Sequence, residues 1–103
     1  MAQTTITPSV RYSGDSPPAT LRKWCDAHPF RVYELHCGGG YDTDRPDGFA
    51  YDVLLRPGWR MSDDCCHTLI ESTVAAMLRQ LRAIEPCDCT DCTEALAKGT
   101  GSW

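Results

Sequence analysis

The residues most able to carry chemistry are the cysteines of the segment PCDCTDC, which spans residues 86 to 92. This segment supplies three soft thiolate donors, from Cys87, Cys89 and Cys92. Structural zinc sites are tetrahedral and need four ligands. The spacing therefore predicts a structural zinc ion bound by these three cysteines and by one further residue.

The fourth ligand depends on the conformation of residues 66–71. If this segment opens a long helix, His67 lies at its start and Cys87 just past its end, which places the two roughly 25 Å apart. If the segment is instead a strand that folds back against a helix over residues 72–85, the strand spans ~16 Å and the helix ~19 Å. The strand then starts beside the end of the helix. We favour this second arrangement, in which Cys66 or His67 is the fourth ligand.

Two other interpretations of the cysteine cluster stay open: reduced, unligated thiols, or redox chemistry. A redox cysteine usually lies at a helix N-terminus or beside a cation. Cys89 and Cys92 are expected to follow a helix C-terminus instead. Acidic residues surround them, and nearby negative charge disfavours a thiolate. Bound zinc offsets that charge, so metal binding is the preferred interpretation.

The elements that must position this cluster follow from the apolar pattern. Residues 17–27 are predicted to form a short helix with Ser16 as its N-cap. Alternating apolar residues predict two strands, FRVYELHC and FAYDVLLR, joined as an antiparallel hairpin. Apolar residues spaced by three and four predict the amphipathic helix over 72–85, with Ser72 as its cap.

These elements predict the α+β class. The expected fold has a short N-terminal helix, a small antiparallel sheet of two to three strands covered by one amphipathic helix, and a Cys-rich C-terminal segment. Residues 1–15 are expected to form a mobile arm with a short edge strand at 4–6, residues 16–92 a single domain, and residues 93–103 a tail. The predicted core consists of Tyr33, Tyr51, Val53, Leu55, Val74, Met77, Leu78, Leu81 and Ile84.

Composition limits the function classes. The chain has 103 residues and a formal net charge of −4, which argues against a protein that binds nucleic acid or anionic membranes through basic clusters. No run of 18 apolar residues occurs, so no membrane span is expected. The N-terminus does not resemble a signal peptide. Seven cysteines without that signal predict a reducing, cytoplasmic location.

Residues that could contact a partner lie in and after the loop between the predicted strands. Three carboxylates in this loop predict an acidic surface, from Asp42, Asp44 and Asp47. Tyr41 and Trp59 are candidate anchors, because Tyr and Trp dominate interface hot spots. Trp103 is a third, with a loose terminus as the preferred interpretation. No catalytic set of nucleophile, base and acid stands out, so an enzyme is not expected.

The segments YDVLLRPGW, HTLIESTVAAMLRQL and EPCDCTDC together resemble small proteins encoded by phages, prophages and plasmids. The resemblance covers about the last half of the chain and rests on a strand ending in Leu-x-Pro-Gly, a His-Thr-x-x-Glu segment, a helix and Pro-Cys-x-Cys-x-x-Cys. Small acidic proteins of such elements include anti-CRISPR proteins. The resemblance implies a non-enzymatic module that binds a host protein or complex as an inhibitor or adaptor. A second copy of the chain, in a homodimer, is among the expected partners. The alternative function is a cysteine-based redox or metal-handling protein.

Overall fold

The computed structural model describes residues 8–42, 45–99 and 103 of the chain. These residues form six strands and three helices. They are β1 Arg11–Gly14, α1 Ala19–Ala27, β2 Val32–Gly38, β3 Ala50–Leu55, β4 Trp59–Arg60, β5 Thr68–Glu71, α2 Val74–Arg82, β6 Glu85–Pro86 and α3 Thr90–Ala97.

The larger sheet has four strands in the order β1-β2-β3-β5. β2 and β3 form the predicted antiparallel hairpin, and β5 adds to β3 in antiparallel orientation. β1 pairs with β2 in parallel, so the sheet is mixed and not purely antiparallel as predicted. A second, two-stranded sheet joins β4 to β6. The α+β class is thereby confirmed.

Two helices, not one, contribute to the core on one face of the sheet. Leu21 and Cys25 of α1 join Met77, Leu78 and Leu81 of α2 in a single cluster with the buried strand residues. Burial of these side chains is the main source of stability, at ~25 cal/mol per Å² of apolar surface. The strand at residues 68–71 and the helix that follows it confirm the preferred one of the two arrangements.

The helix starts differ from the predicted ones. The N-cap of α1 is Pro18, with no side-chain cap, and Ser16 lies two residues before it. The N-cap of α2 is Thr73, whose Oγ1 accepts a hydrogen bond from the backbone N–H of Ala76 at 3.1 Å. Ser72, the predicted cap, immediately precedes it. Ser72 and Thr73 are both residue types that cap helices, and the local backbone geometry decides between them.

The residues predicted to form the core are buried in one cluster, except for Val74 and Tyr33. Val74 is partly buried, and Tyr33 lies outside the cluster, with Arg56 stacked 5.2 Å from its ring centre. An irregular register between Val32 and Glu34 shifts the phase of β2. Because a bulge inserts one unpaired residue, Val32 and Leu35 both face the core, whereas strict alternation along a strand puts residues three apart on opposite faces.

Regular structure occurs on both sides of residues 16–92, the predicted domain. β1 lies within the segment predicted as an arm and pairs with β2 over residues 11–14. Residue 92, the predicted end of the domain, lies inside α3, so residues 93–97 are helical. The strand predicted at residues 4–6 lies outside the described residues.

Candidate metal centre

Long-range pairing of β4 with β6 brings the two cysteine-containing segments together. Trp59 pairs with Pro86 in this small sheet, and the backbone N–H of Cys87 continues the pairing by donating to the carbonyl of Gly58 at 2.7 Å. The segment between β4 and β5 is held by a second bond, from Met61 N–H to the carbonyl of Cys66 at 3.0 Å. Residues 65–67 therefore lie beside the start of the PCDCTDC segment.

Four donor atoms meet at this junction. They lie within 4.8 Å of one another and belong to Cys65, His67, Cys87 and Cys89. The Sγ atoms of Cys65 and Cys87 are 3.7 Å apart, and Sγ of Cys89 is 3.5 Å from Nε2 of His67. This Cys/His cluster could hold a metal ion.

The orientation of His67 suits a metal ligand. Its Nδ1 lies 2.7 Å from the carbonyl oxygen of Trp59, and because a carbonyl only accepts hydrogen bonds, Nδ1–H is the donor. In the tautomer that carries its proton on Nδ1, the lone pair is on Nε2, which lies 3.5 Å from Sγ of Cys89. Metal-ligating histidines almost always donate their second ring N–H in this way. The indole of Trp103 lies 4.8 Å from the imidazole, centre to centre.

Cys66 and His67 are the two alternatives predicted for the fourth ligand, and of the two His67 lies among the clustered donors. Sγ of Cys66 donates to the carbonyl of Thr68 at 3.2 Å, and Cys65 is a donor that the sequence analysis did not name. Cys65 and His67 therefore contribute donor atoms to the cluster, whereas the thiol of Cys66 is used in a hydrogen bond to the backbone.

Cys92 lies next to the cluster as a fifth donor. Its Sγ is 3.7 Å from Nε2 and 3.8 Å from Nδ1 of His67, so it does not lie along the lone pair of Nε2. The side chain is buried, and burial raises the pKa of its thiol to about 11. Cys92 therefore packs against the imidazole beside the four clustered donors, and its predicted role as a metal ligand stays a prediction.

The electrostatic setting of Cys89 differs from the predicted one. Cys89 does not simply follow a helix C-terminus, because it is the N-cap of α3 and its Sγ accepts the backbone N–H of Cys92 at 3.4 Å. This hydrogen bond lowers the pKa of the Cys89 thiol to about 6. Hydrogen bonds to Cys87 and Cys89 raise the pKa of Cys65 to about 12. Without a cation, the crowded thiols therefore cannot all ionise near neutral pH.

Three of the residues predicted to contact a partner make contacts within the chain. Tyr41 donates its hydroxyl to Asp52 at 2.8 Å, and Asp47 pairs with Arg45 at 3.3 Å. Trp59 packs against the core beneath Arg31, 4.4 Å from its ring centre. Asp42 is exposed, and Asp44 lies outside the described residues. Their role in binding stays a prediction.

No protein-family model, no curated protein and no solved structure matches the chain. Within residues 8–42, 45–99 and 103, none of the helices has the length and apolar character needed to cross a membrane.

Proposed function

We propose that this chain is a small, non-enzymatic protein-binding domain whose C-terminal part is stabilised by one structural zinc ion. The observation that carries the zinc assignment is the spacing of the donor atoms. Sulfur ligands at ~2.3 Å and nitrogen ligands at ~2.0–2.1 Å from one tetrahedral ion lie about 3.5 to 3.8 Å from one another. The Cys65–Cys87 and Cys89–His67 distances, 3.7 and 3.5 Å, lie in that range.

The donor types favour zinc in a structural role. Thiolates with one imidazole suit zinc, whereas calcium and magnesium prefer oxygen ligands. Cys65, His67, Cys87 and Cys89 fill all four tetrahedral positions, so no position is left for water or substrate. A closed site of this kind stabilises a fold and does not activate a nucleophile.

The proposed ion links two segments that are distant in sequence. It connects the segment between β4 and β5, through Cys65 and His67, to the segment that leads from β6 into α3. Structural zinc binding contributes ~10–16 kcal/mol in small domains, comparable to the whole stability of a small protein. The position of α3 would therefore depend on the metal.

The binding part of the proposal is an inhibitor or adaptor of a host protein complex, in the cytoplasm, encoded by a phage or other mobile element. It is supported by the small size and net charge of −4, and by the resemblance to small phage and plasmid proteins. Anti-CRISPR proteins are one kind of small acidic protein that such elements encode, and the resemblance does not name a target. Association into a homodimer belongs to the same proposal.

A thiol–disulfide oxidoreductase is the second candidate function. One observation favours it: Cys89 caps the N-terminus of α3 and Cys92 lies three residues later, the arrangement of redox Cys-x-x-Cys motifs. In such a reaction the two thiols lose two electrons and two protons to a substrate disulfide, which becomes two thiols. Zinc at the cluster would block this reaction by occupying Cys89.

Two adjacent cysteines provide the test. Protein purified without a tag or chelator should contain one zinc per chain. Cys65→Ser should lose stoichiometric zinc and melt at a lower temperature, because a ligand is removed. Cys66→Ser is the matched control: its hydroxyl can still donate to Thr68, so zinc content and melting temperature should stay close to wild type.

The outcomes separate the candidates. Equal zinc content in the two variants, or no zinc in the wild type, would contradict the metal proposal. Redox chemistry would instead give a wild-type protein that reduces insulin disulfides and loses this activity in both Cys89→Ser and Cys92→Ser.

A further inference from the structure

The outer surface between α1 and α2 carries an open groove with a volume of about 290 Å³. Trp24 of α1 and Leu78 of α2 give the groove an apolar floor, and Thr20 also lines it. Leu78 is only 7% exposed, whereas Trp24 is half-buried. The groove between the two helices is thus lined in part by apolar side chains.

The aromatic floor is held in position. The ring of Trp24 stacks on the imidazole of His28 with 3.9 Å between centres and 18° between planes. Nδ1–H of His28 donates to the carbonyl of Trp24 at 2.7 Å, because the carbonyl oxygen can only accept. Two contacts between the same pair of residues fix both rings, so an incoming side chain would meet a preorganised surface.

The charged residues around the groove are all basic. Lys23 and Arg82 line it, and neither forms an ion pair among the described residues, unlike Arg22, Arg45 and Arg60. Three other cavities of the molecule each have a carboxylate in their lining. In a chain of net charge −4, two unpaired cations beside an apolar floor are complementary to an anionic, apolar ligand.

We propose that this groove binds an acidic peptide segment of a partner protein, with one apolar side chain on Trp24 and Leu78 and carboxylates at Lys23 and Arg82. The inference rests on the proposed protein-binding function and names its surface. The volume is at the lower limit for an enclosed small-molecule site but fits one large side chain. A nucleic acid is disfavoured because two cations cannot offset the repulsion between its phosphates and an acidic protein.

The test is selection from a peptide library with a matched charge-reversal series. Peptides of about twelve residues, with one apolar position among random polar residues, are displayed against the folded, metal-loaded protein. Selection should enrich Asp and Glu around Leu, Phe or Trp. Binding of a selected peptide should weaken about tenfold in Lys23→Glu and in Arg82→Glu, and it should weaken as salt is raised.

Lys98→Glu is the control, because Lys98 is exposed at the C-cap of α3 and lines a different cavity. Its charge change is identical to that of Lys23→Glu, so it should bind as wild type does. Enrichment of basic or neutral peptides, no enrichment, or equal weakening by all three variants would overturn the proposal. Capture of a host protein whose binding is unchanged in Lys23→Glu would overturn the groove and leave the protein-binding function standing.

Discussion

Nδ1 of His67 donates a hydrogen bond to the carbonyl oxygen of Trp59 across 2.7 Å. Trp59 belongs to β4 and pairs with β6, the strand that leads into the PCDCTDC segment. The same small sheet therefore orients the imidazole and delivers the thiols that face it. With the proton on Nδ1, the lone pair of Nε2 can bind a metal or accept a hydrogen bond from a thiol. This relationship leads to the first prediction.

His67→Cys should keep a metal and change its ligand set. With cobalt as a spectroscopic substitute for zinc, the wild type should give the spectrum of three thiolates and one nitrogen. His67→Cys should raise the sulfur-to-metal charge-transfer absorbance per bound ion, because a fourth thiolate replaces the imidazole. Cys92→Ser is the control and should keep the wild-type spectrum. A fall in absorbance for Cys92→Ser would place Cys92 among the four ligands.

The thiol of Cys89 should ionise early in the metal-free protein. Its pKa is lowered to about 6 by the backbone N–H of Cys92, whereas an ordinary thiol has a pKa of about 8.5. Alkylation by iodoacetamide at Cys89 should therefore rise through about pH 6, and Cys92, with a pKa of about 11, should stay unreactive at neutral pH. Mass spectrometry of each site measures both rates.

The same shift predicts a pH dependence of stability. The folded-state pKa of Cys89 is lower than the unfolded one, so its ionisation stabilises the metal-free fold fully above about pH 8.5. This contribution decreases as the pH falls and is lost below about pH 6. Melting curves of wild type and Cys89→Ser across this range should diverge as the pH rises. Parallel curves would count against an ionised Cys89.

Removal of the metal should loosen one part of the molecule. With a strong chelator, amide exchange should become faster in β4, β6 and α3, which the proposed ion connects. The β2–β3 hairpin should keep its protection, because it is covered by α1 and α2 and contains none of the four donors. Exchange that speeds up equally in all strands would show that the metal supports the whole fold and not one region.

Neighbouring leucines on β3 test the orientation of the sheet. Leu55 is fully buried and Leu54 lies on the open face. Leu55→Ala should lower the free energy of unfolding by about 2–5 kcal/mol, because it leaves a cavity in the core. Leu54→Ala, the same change one residue away, should cost about 1 kcal/mol or less. Urea denaturation of the metal-loaded proteins measures both, and similar losses would contradict the assigned faces.

Local patterns in the sequence determined the main elements. The spacing of Met77, Leu78 and Leu81 predicts α2, and alternation in β2 and β3 predicts their hairpin, because each pattern reflects contacts within one element or between neighbours. Matching the lengths of a strand and a helix also placed His67 beside Cys87. These features depend on short-range geometry, which residue types and spacing report directly.

Tertiary structure decided the features that depend on distant segments. The bulge in β2 that turns Val32 to the core, the parallel pairing of β1, and the packing that lets Cys89 begin a third helix have no signature of comparable strength in the sequence. The choice of Cys65 over Cys66 belongs here too. The pairing of β4 with β6 brings this segment to Cys87 and Cys89, and local sequence does not report which of its side chains face them.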